Sequence, residues 1–283
     1  MHFRVALITE VFHGAGAQER LTERLSRAAA TGARLAVLPE IPLDPWCPAT
    51  RNARDQDAEA PGGRRLSLLS HASRAAGIAT VGGAIVKDPD DGSRYNTALT
   101  VDSAGTLIDS YEKLHLPQEP GFWEADHYRP GRTLPKPITA LGLPFGVQIC
   151  SDANRPEGTH LLAALGALLV VVPRATEAAT WPRWRTVLRA NAITSTVYVL
   201  SVNRPGPEGD VGIGGPSVVV APDGEIVLET TDALATVDIE PERVERARST
   251  YPGYLPVRSN LYSEGWSRVA AQVQTPPRPA SKT

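Results

Sequence analysis

Two short runs of this chain, residues 35–38 and 167–172, are apolar from end to end. A strand with no polar face is buried on both sides, and the usual cover is a helix on at least one of them. The chain supplies such helices. Leu21, Leu25, Ala28 and Ala29 form one face of residues 18–31, with Glu19, Arg20, Glu23, Arg24 and Arg27 outside and Gly32 as the stop. A second amphipathic segment, 66–76, closes at Gly77. Strands are expected at 3–8, at 78–86 with a break at Gly82 and Gly83, at 95–101 and at 107–111, the last two joined by a turn at 102–105. After residue 150 the alternation repeats: a helix to about 165, the strand 167–172, a helix at 181–194 and a strand at 198–202. A hairpin follows around Pro222-Asp223-Gly224, then a strand at 235–239 and a helix at 241–249. Strand–helix alternation in two rounds, with hairpins inserted, predicts an α/β sandwich with helices outside two sheets. At 283 residues and 42% hydrophobic content, the chain can bury a core of that size.

Composition excludes several function classes. The formal charge of −2, from 29 basic and 31 acidic residues, leaves no excess to neutralise a nucleic acid. No apolar run reaches membrane-spanning length, and the N-terminal apolar stretch is too short for a signal peptide. Two cysteines, Cys47 and Cys150, make neither a disulfide framework nor a Cys-rich metal site. A reducing, cytoplasmic setting is therefore the expectation. The glycine-rich segment 206–215 lacks the Gly-x-x-x-x-Gly-Lys pattern of a phosphate loop, so no nucleotide cofactor is expected.

The chemistry concentrates at strand ends. In residues 143–158 a β-branched strand containing Val147 and Ile149 stops at Cys150, and Ser151, Asp152, Asn154 and Pro156 start a helix. A lone cysteine is often an inert core residue. On a sharp strand-to-helix turn, however, a thiol is held out beside free backbone N–H groups, as a nucleophile requires. Glu40 stands at the tip of the buried strand 35–38, where a carboxylate needs a reason to be. Lys113 stands where strand 107–111 runs into a Pro-rich loop. The loop 118–131 carries Glu119, Phe122, Trp123, Glu124, His127 and Tyr128, a density that fits a pocket wall. His115 and His127 lack the i, i+4 spacing of a zinc helix, so no metal is expected.

Three segments resemble the nitrilase, or carbon–nitrogen hydrolase, superfamily: Ala-Val-Leu-Pro-Glu at 36–40, Tyr-Glu-Lys-Leu-His-Leu-Pro at 111–117 and Gly-Val-Gln-Ile-Cys-Ser-Asp at 146–152. Arg155-Pro156-Glu157, Gly166-Ala167, Arg189-Ala190 and Gly215-Pro216-Ser217 extend the likeness from about Arg4 to Tyr262. The resemblance implies a four-layer αββα sandwich, one catalytic domain over 1–265, and a homodimer or larger homo-oligomer; the C-terminal stretch 266–283, Pro-rich and polar toward its end, is expected as an extended or disordered tail. It implies a small-molecule amide as the partner and no cofactor. It also implies roles: Cys150 as nucleophile, Glu40 as general base, Lys113 as oxyanion stabiliser, and Glu124 as a second active-site acid, with Glu119 the weaker alternative. The loop 120–131 is most similar to the carbamoylputrescine amidase branch. True nitrilases carry an aromatic residue after the cysteine and a longer chain; Ser151 and the length here favour an amidase. Trp123, Ser151, Arg174 and Glu177 are the expected substrate contacts, with Arg174 suited to a substrate carboxylate if it points inward. A surface ion pair between Arg174 and Glu177 is the plain alternative.

Overall fold

A computed structural model describes residues 2–273. The chain divides into one compact unit ending at Gly253 and a second beginning at Tyr254.

The first unit holds two mixed sheets. In one, β1 (Phe3–Ile8), β2 (Leu35–Val37) and β3 (Ala79–Lys87) run parallel, and β4 (Arg94–Val101) and β5 (Leu107–Glu112) continue antiparallel. In the other, β6 (Phe145–Val147), β7 (Leu169–Arg174) and β8 (Tyr198–Asn203) run parallel, and β9 (Ser217–Val220) and β10 (Ile226–Thr230) continue antiparallel. Each half therefore builds the same sheet: three parallel strands, then two antiparallel ones. A last strand, β11 (Leu234–Ile239), adds antiparallel to the free side of β1.

Side-chain alternation sorts the strand residues into layers. Val5, Leu7, Leu35 and Val37 of one sheet meet Val147, Leu169, Val171 and Leu200 of the other. On the outer face of the first sheet, Ala6, Ile8, Ala36 and Leu38 pack on Leu21 and Leu25 of α1 (Ala17–Ala30) and Leu69 of α2 (Arg64–Ala76). On the outer face of the second, Val170, Val172 and Val199 pack on Leu162 of α4 (Pro156–Ala164) and Leu188 and Ala192 of α5 (Trp181–Ser195). Helix, sheet, sheet, helix is the expected four-layer sandwich.

Three details differ from the sequence reading. Gly82 and Gly83 do not break β3, which runs unbroken through them. A Cβ on Gly82 would lie 3.0 Å from the Leu69 side chain, so the glycine is there for close helix–strand contact, not as a turn. The loop 118–131 contains a single helical turn, α3 (Glu124–His127). In the second unit, α6 (Ser259–Val273) crosses the expected boundary at 265 and makes residues 266–273 helical instead of extended or disordered. Its Leu261, Tyr262, Trp266 and Val269 supply a helical apolar pattern that a Pro-rich tail obscured. The rest of the expected tail, 274–283, lies outside the described residues.

Candidate active site

β2, β5 and β6 deliver their carboxyl ends to one place, the region where α/β sheets gather ligands. Glu40 follows β2, Lys113 follows β5 and Cys150 follows β6. Glu124 reaches them from the turn α3. Their side chains are buried almost completely: Glu40 1%, Lys113 1%, Glu124 0% and Cys150 4% exposed.

Lys113 is the hub. Its Nζ donates to Glu40 Oε1 at 2.7 Å and to Glu124 Oε1 and Oε2 at 2.6 and 2.8 Å. Asn96 Nδ2 donates to the same Glu40 oxygen at 2.8 Å, while the Lys113 backbone N–H donates to Asn96 O at 2.9 Å. One residue of β4 thus registers both Glu40 and Lys113. Glu40 Oε2 is buried and accepts no hydrogen bond from the protein. Such an orphan is rare. It is the oxygen left for a proton.

Burial opposes the Lys113 charge, but Glu124 and then Glu40 outweigh it and hold the ammonium above the ordinary lysine range. Burial raises Glu124 to about 7, with Lys113 pulling down and Glu40 pushing up. Cys150 is pushed well above the usual thiol value, first by burial and then by the Glu40 charge, with Lys113 acting in the other direction. The resting cysteine is therefore a neutral thiol, and its Sγ donates toward Ala175 O at 3.7 Å.

Cys150 has φ +46° and opens a 3₁₀ turn, Cys150–Asn154. A non-glycine residue in the left-handed region is a strained position of the kind found at nucleophile elbows. Asp152 holds the elbow in place. Its buried carboxylate accepts from Ile149 N at 3.1 Å on the cysteine side. On the lysine side it accepts from Tyr111 Oη at 2.8 Å, and from Leu114 N, His115 N and His115 Nδ1 at 3.2, 3.0 and 2.8 Å. One carboxylate thereby ties the lysine strand to the cysteine turn.

The remaining expected contacts fall in different places. Trp123 is half-buried under the Arg51 guanidinium, 3.7 Å above its ring, at the start of α3. Ser151 Oγ donates to His115 O at 2.5 Å and so also pins the lysine loop. Arg174 shares the side-chain parity of Val170 and Val172 and points away from the inter-sheet core toward α5, with its guanidinium 5.0 Å from the Trp181 ring. Its three nitrogens donate to Ser201 Oγ at 2.9 Å, Thr176 Oγ1 at 2.5 Å and Pro216 O. Its acceptors are neutral and do not include Glu177, so the expected ion pair does not form, while the charges of Arg174 and Cys150 still act on each other. Glu177 is half-buried, and its backbone bridges to Ile213. Glu119 is exposed, which leaves Glu124 as the second acid at the lysine. His115 Nδ1 is engaged by Asp152 and His127 Nε2 by Thr50 O at 2.6 Å. Among the described residues no His, Cys, Asp and Glu side chains group as metal ligands.

Sequence reasoning gave Asn96 no role and Asp152 only that of a helix start. Asp152 stood inside the Cys-Ser-Asp motif and could have been marked there. Asn96 could not, since its value lies in cross-strand register. An apolar cover of Ile41, Trp46, Phe122, Tyr128, Val211 and Ile213, packed with Ala175, lies beside these groups.

The carbon-nitrogen hydrolase family profile matches residues 13–249. This chain belongs to that family. It is 29% identical to omega-amidase NIT2-B of Xenopus laevis over 84% of this chain and 88% of that one. It is 31% identical to omega-amidase NIT3 of Saccharomyces cerevisiae over 70% and 72%. The crystal structure of S. cerevisiae Nit3, a member of branch 10 of the nitrilase superfamily, superposes with TM-score 0.77 at 26% identity, covering 91% of this chain and 96% of that one. A mutant of the amidase from Nesterenkonia sp. AN1 in complex with butyramide superposes with TM-score 0.74 at 25% identity, over 93% and 97%. The four-layer sandwich and the hydrolase class are those of the nitrilase superfamily. No helix among the described residues is long and apolar enough to cross a membrane.

Proposed function

We propose that this carbon–nitrogen hydrolase is a thiol amidohydrolase of a small linear amide or N-carbamoyl amine, working through a thioester on Cys150. One observation carries the reading. A buried ammonium is held between two carboxylates beside a neutral buried thiol, and one carboxylate oxygen remains free to take its proton. Glu40 accepts the thiol proton as sulfur attacks the carbonyl carbon. Lys113 and the backbone N–H of Ser151 stabilise the oxyanion. The C–N bond breaks as Glu40 returns that proton to the leaving nitrogen. Water then attacks the thioester, Glu40 takes a proton from it, and the C–S bond breaks to release the acid and restore the thiol. Glu124 holds Lys113 and orients the leaving amine or the water. Trp123 borders the substrate space.

The omega-amidase relatives and the butyramide-bound neighbour support the amide side of this reading; the carbamoyl side rests on the loop 120–131. As the family resemblance implies, the protein is a homodimer or larger homo-oligomer, which light scattering tests directly; its two cysteines and the absence of a disulfide framework fit a reducing, cytoplasmic setting. The function is tested by ammonia release from a panel of amides, N-carbamoyl amines and nitriles, with intact-mass detection of an acyl adduct on Cys150. Amide or carbamoyl turnover with that adduct supports the proposal. Turnover of nitriles alone, or of amides in Cys150→Ala, overturns it.

A further inference from the structure

The residue after Glu40 adopts a conformation its side chain resists. Ile41 has φ +47°, and a β-branched residue in the left-handed region is a genuine outlier that its surroundings must enforce. Arg204 enforces it. Its guanidinium is wholly buried, and Nη1 donates to Glu40 O at 2.9 Å and Ile41 O at 2.5 Å, while Nη2 donates to Asp44 O at 3.0 Å. These carbonyls belong to the turn that carries Glu40. Among the described residues the carboxylate on this guanidinium is that of Glu208, whose Oε1 accepts from Nε at 2.6 Å. Glu208 Oε2 accepts from Trp46 N at 2.8 Å, on the far side of the same turn.

Glu208 sits in the glycine-rich segment 206–215, which also contributes Val211 and Ile213 to the apolar cover. Gly121 packs so closely under this segment that a Cβ there would lie 3.0 Å from Val211. A groove of about 520 Å³, walled in part by Val11, His13, Trp46, Pro205 and Glu208, adjoins the clamp. Removing one partner of a buried ion pair is costly, and Glu208 is both the counter-charge of this guanidinium and the acceptor of Trp46 N. The strained turn therefore depends on a group delivered by the loop.

We infer that Arg204 and Glu208 are positioning residues for Glu40: docking of the glycine-rich loop through Glu208 sets the turn that aims the base, so covering the site and aligning the base are one event. The inference rests on the reading of Glu40 as base, and its test separates the two. The rate of Cys150 alkylation by iodoacetamide, followed by peptide mass, is measured in the wild type, Glu208→Ala, Glu40→Gln and the double variant. Thermal melts confirm that each is folded, and Glu208→Gln replaces Glu208→Ala if the latter is not. Slowing by Glu40→Gln alone tests the base. The clamp predicts that Glu208→Ala slows alkylation by up to about 10²-fold, the scale of an ångström-level misplacement, and has less than about a twofold effect once Glu40 is Gln, because coupled residues are not additive. Arg204→Lys, which keeps the charge but not the fork, should slow it similarly. Equal slowing by Glu208→Ala in both backgrounds, or in neither, overturns the inference.

Discussion

Lys113 and Arg174 are both wholly buried cations at the carboxyl ends of strands, yet their surroundings are opposites. Lys113 lies on the inter-sheet side between two carboxylates, which raise its pKa despite burial. Arg174 lies on the helix side with three neutral oxygen acceptors and no acid partner among the described residues, and burial lowers it to about 10. A charge surrounded by opposite charges and a free acceptor is arranged for proton movement. A charge surrounded by hydroxyls and a carbonyl stitches backbone together. Burial alone does not distinguish the two; the partners do.

The sharpest way to break this contrast is at the nucleophile. Cys150→Ala and Cys150→Ser should lose turnover by about 10⁶-fold, as loss of a covalent nucleophile does elsewhere, while retaining the wild-type melting temperature within a few degrees. Rates near wild type in either would remove the lysine side of the comparison altogether. Next come the charges around it. Glu40→Gln should cost about 10²- to 10⁴-fold in kcat, the range of a general base. Lys113→Met should cost at least as much, because it removes the oxyanion donor and leaves Glu40 and Glu124 as buried carboxylates without their shared cation. Steady-state kinetics on whichever amide the panel identifies decides both. Asp152→Asn, which weakens the tie between elbow and lysine loop, should cost about 10- to 100-fold in kcat/KM. A loss confined to melting temperature would make Asp152 purely structural.

The legible part of the site was the part with local chemistry at strand ends. Glu40 and Cys150 follow strands whose apolar residues are visible, Lys113 follows the second strand of a readable hairpin, and Glu124 sits in a loop too aromatic to be a spacer. What escaped depended on which face of a buried strand is which. β7 is apolar on both faces, so alternation places Arg174 with Val170 and Val172 without saying whether that face meets the other sheet or α5. The tie of Ser151 to the lysine loop was not legible because its acceptor, His115 O, is 36 residues away. Asn96, Arg204 and Glu208 act through backbone carbonyls and cross-strand register that no local pattern announces. The paired glycines of β3 misled because the same residue serves turns and close packing alike.

A pH experiment refines the lysine side. Glu124 is raised to about 7, chiefly by burial. It is neutral below that value and pairs as a carboxylate with Lys113 above it, so kcat should climb as pH rises through about 7, and Glu124→Gln should erase that limb. The linkage has a definite sign. The folded state keeps a proton that an unfolded carboxylate has already released, so this group's stabilising contribution is full below the ordinary carboxylate range and is lost as pH rises toward about 7. Melting temperatures across pH 4 to 8 should therefore be flatter in Glu124→Gln than in the wild type.

The smallest expected effect is at Arg174, where it tests the other half of the contrast. If Arg174 read a substrate carboxylate, Arg174→Met would raise KM for an acidic amide and spare a neutral one. The structure predicts otherwise. Its three nitrogens are committed to Ser201, Thr176 and Pro216, and its side chain lies on the α5 face. Ser201 Oγ keeps its own bond to Val172 O, and Thr176 Oγ1 keeps Asn203, so the acceptor most exposed to loss is the carbonyl of Pro216. A fully buried orphaned carbonyl costs about 1–3 kcal/mol, and Pro216 is only half-buried, so this is an upper bound. Removing a buried cation that has no acid offsets part of that. Arg174→Met should therefore lower the melting temperature by a few degrees, at about 2–4 °C per kcal/mol for a chain of this size, with KM unchanged for acidic and neutral amides alike. A selective rise in KM for the acidic amide would return Arg174 to the substrate and erase the distinction between the two cations.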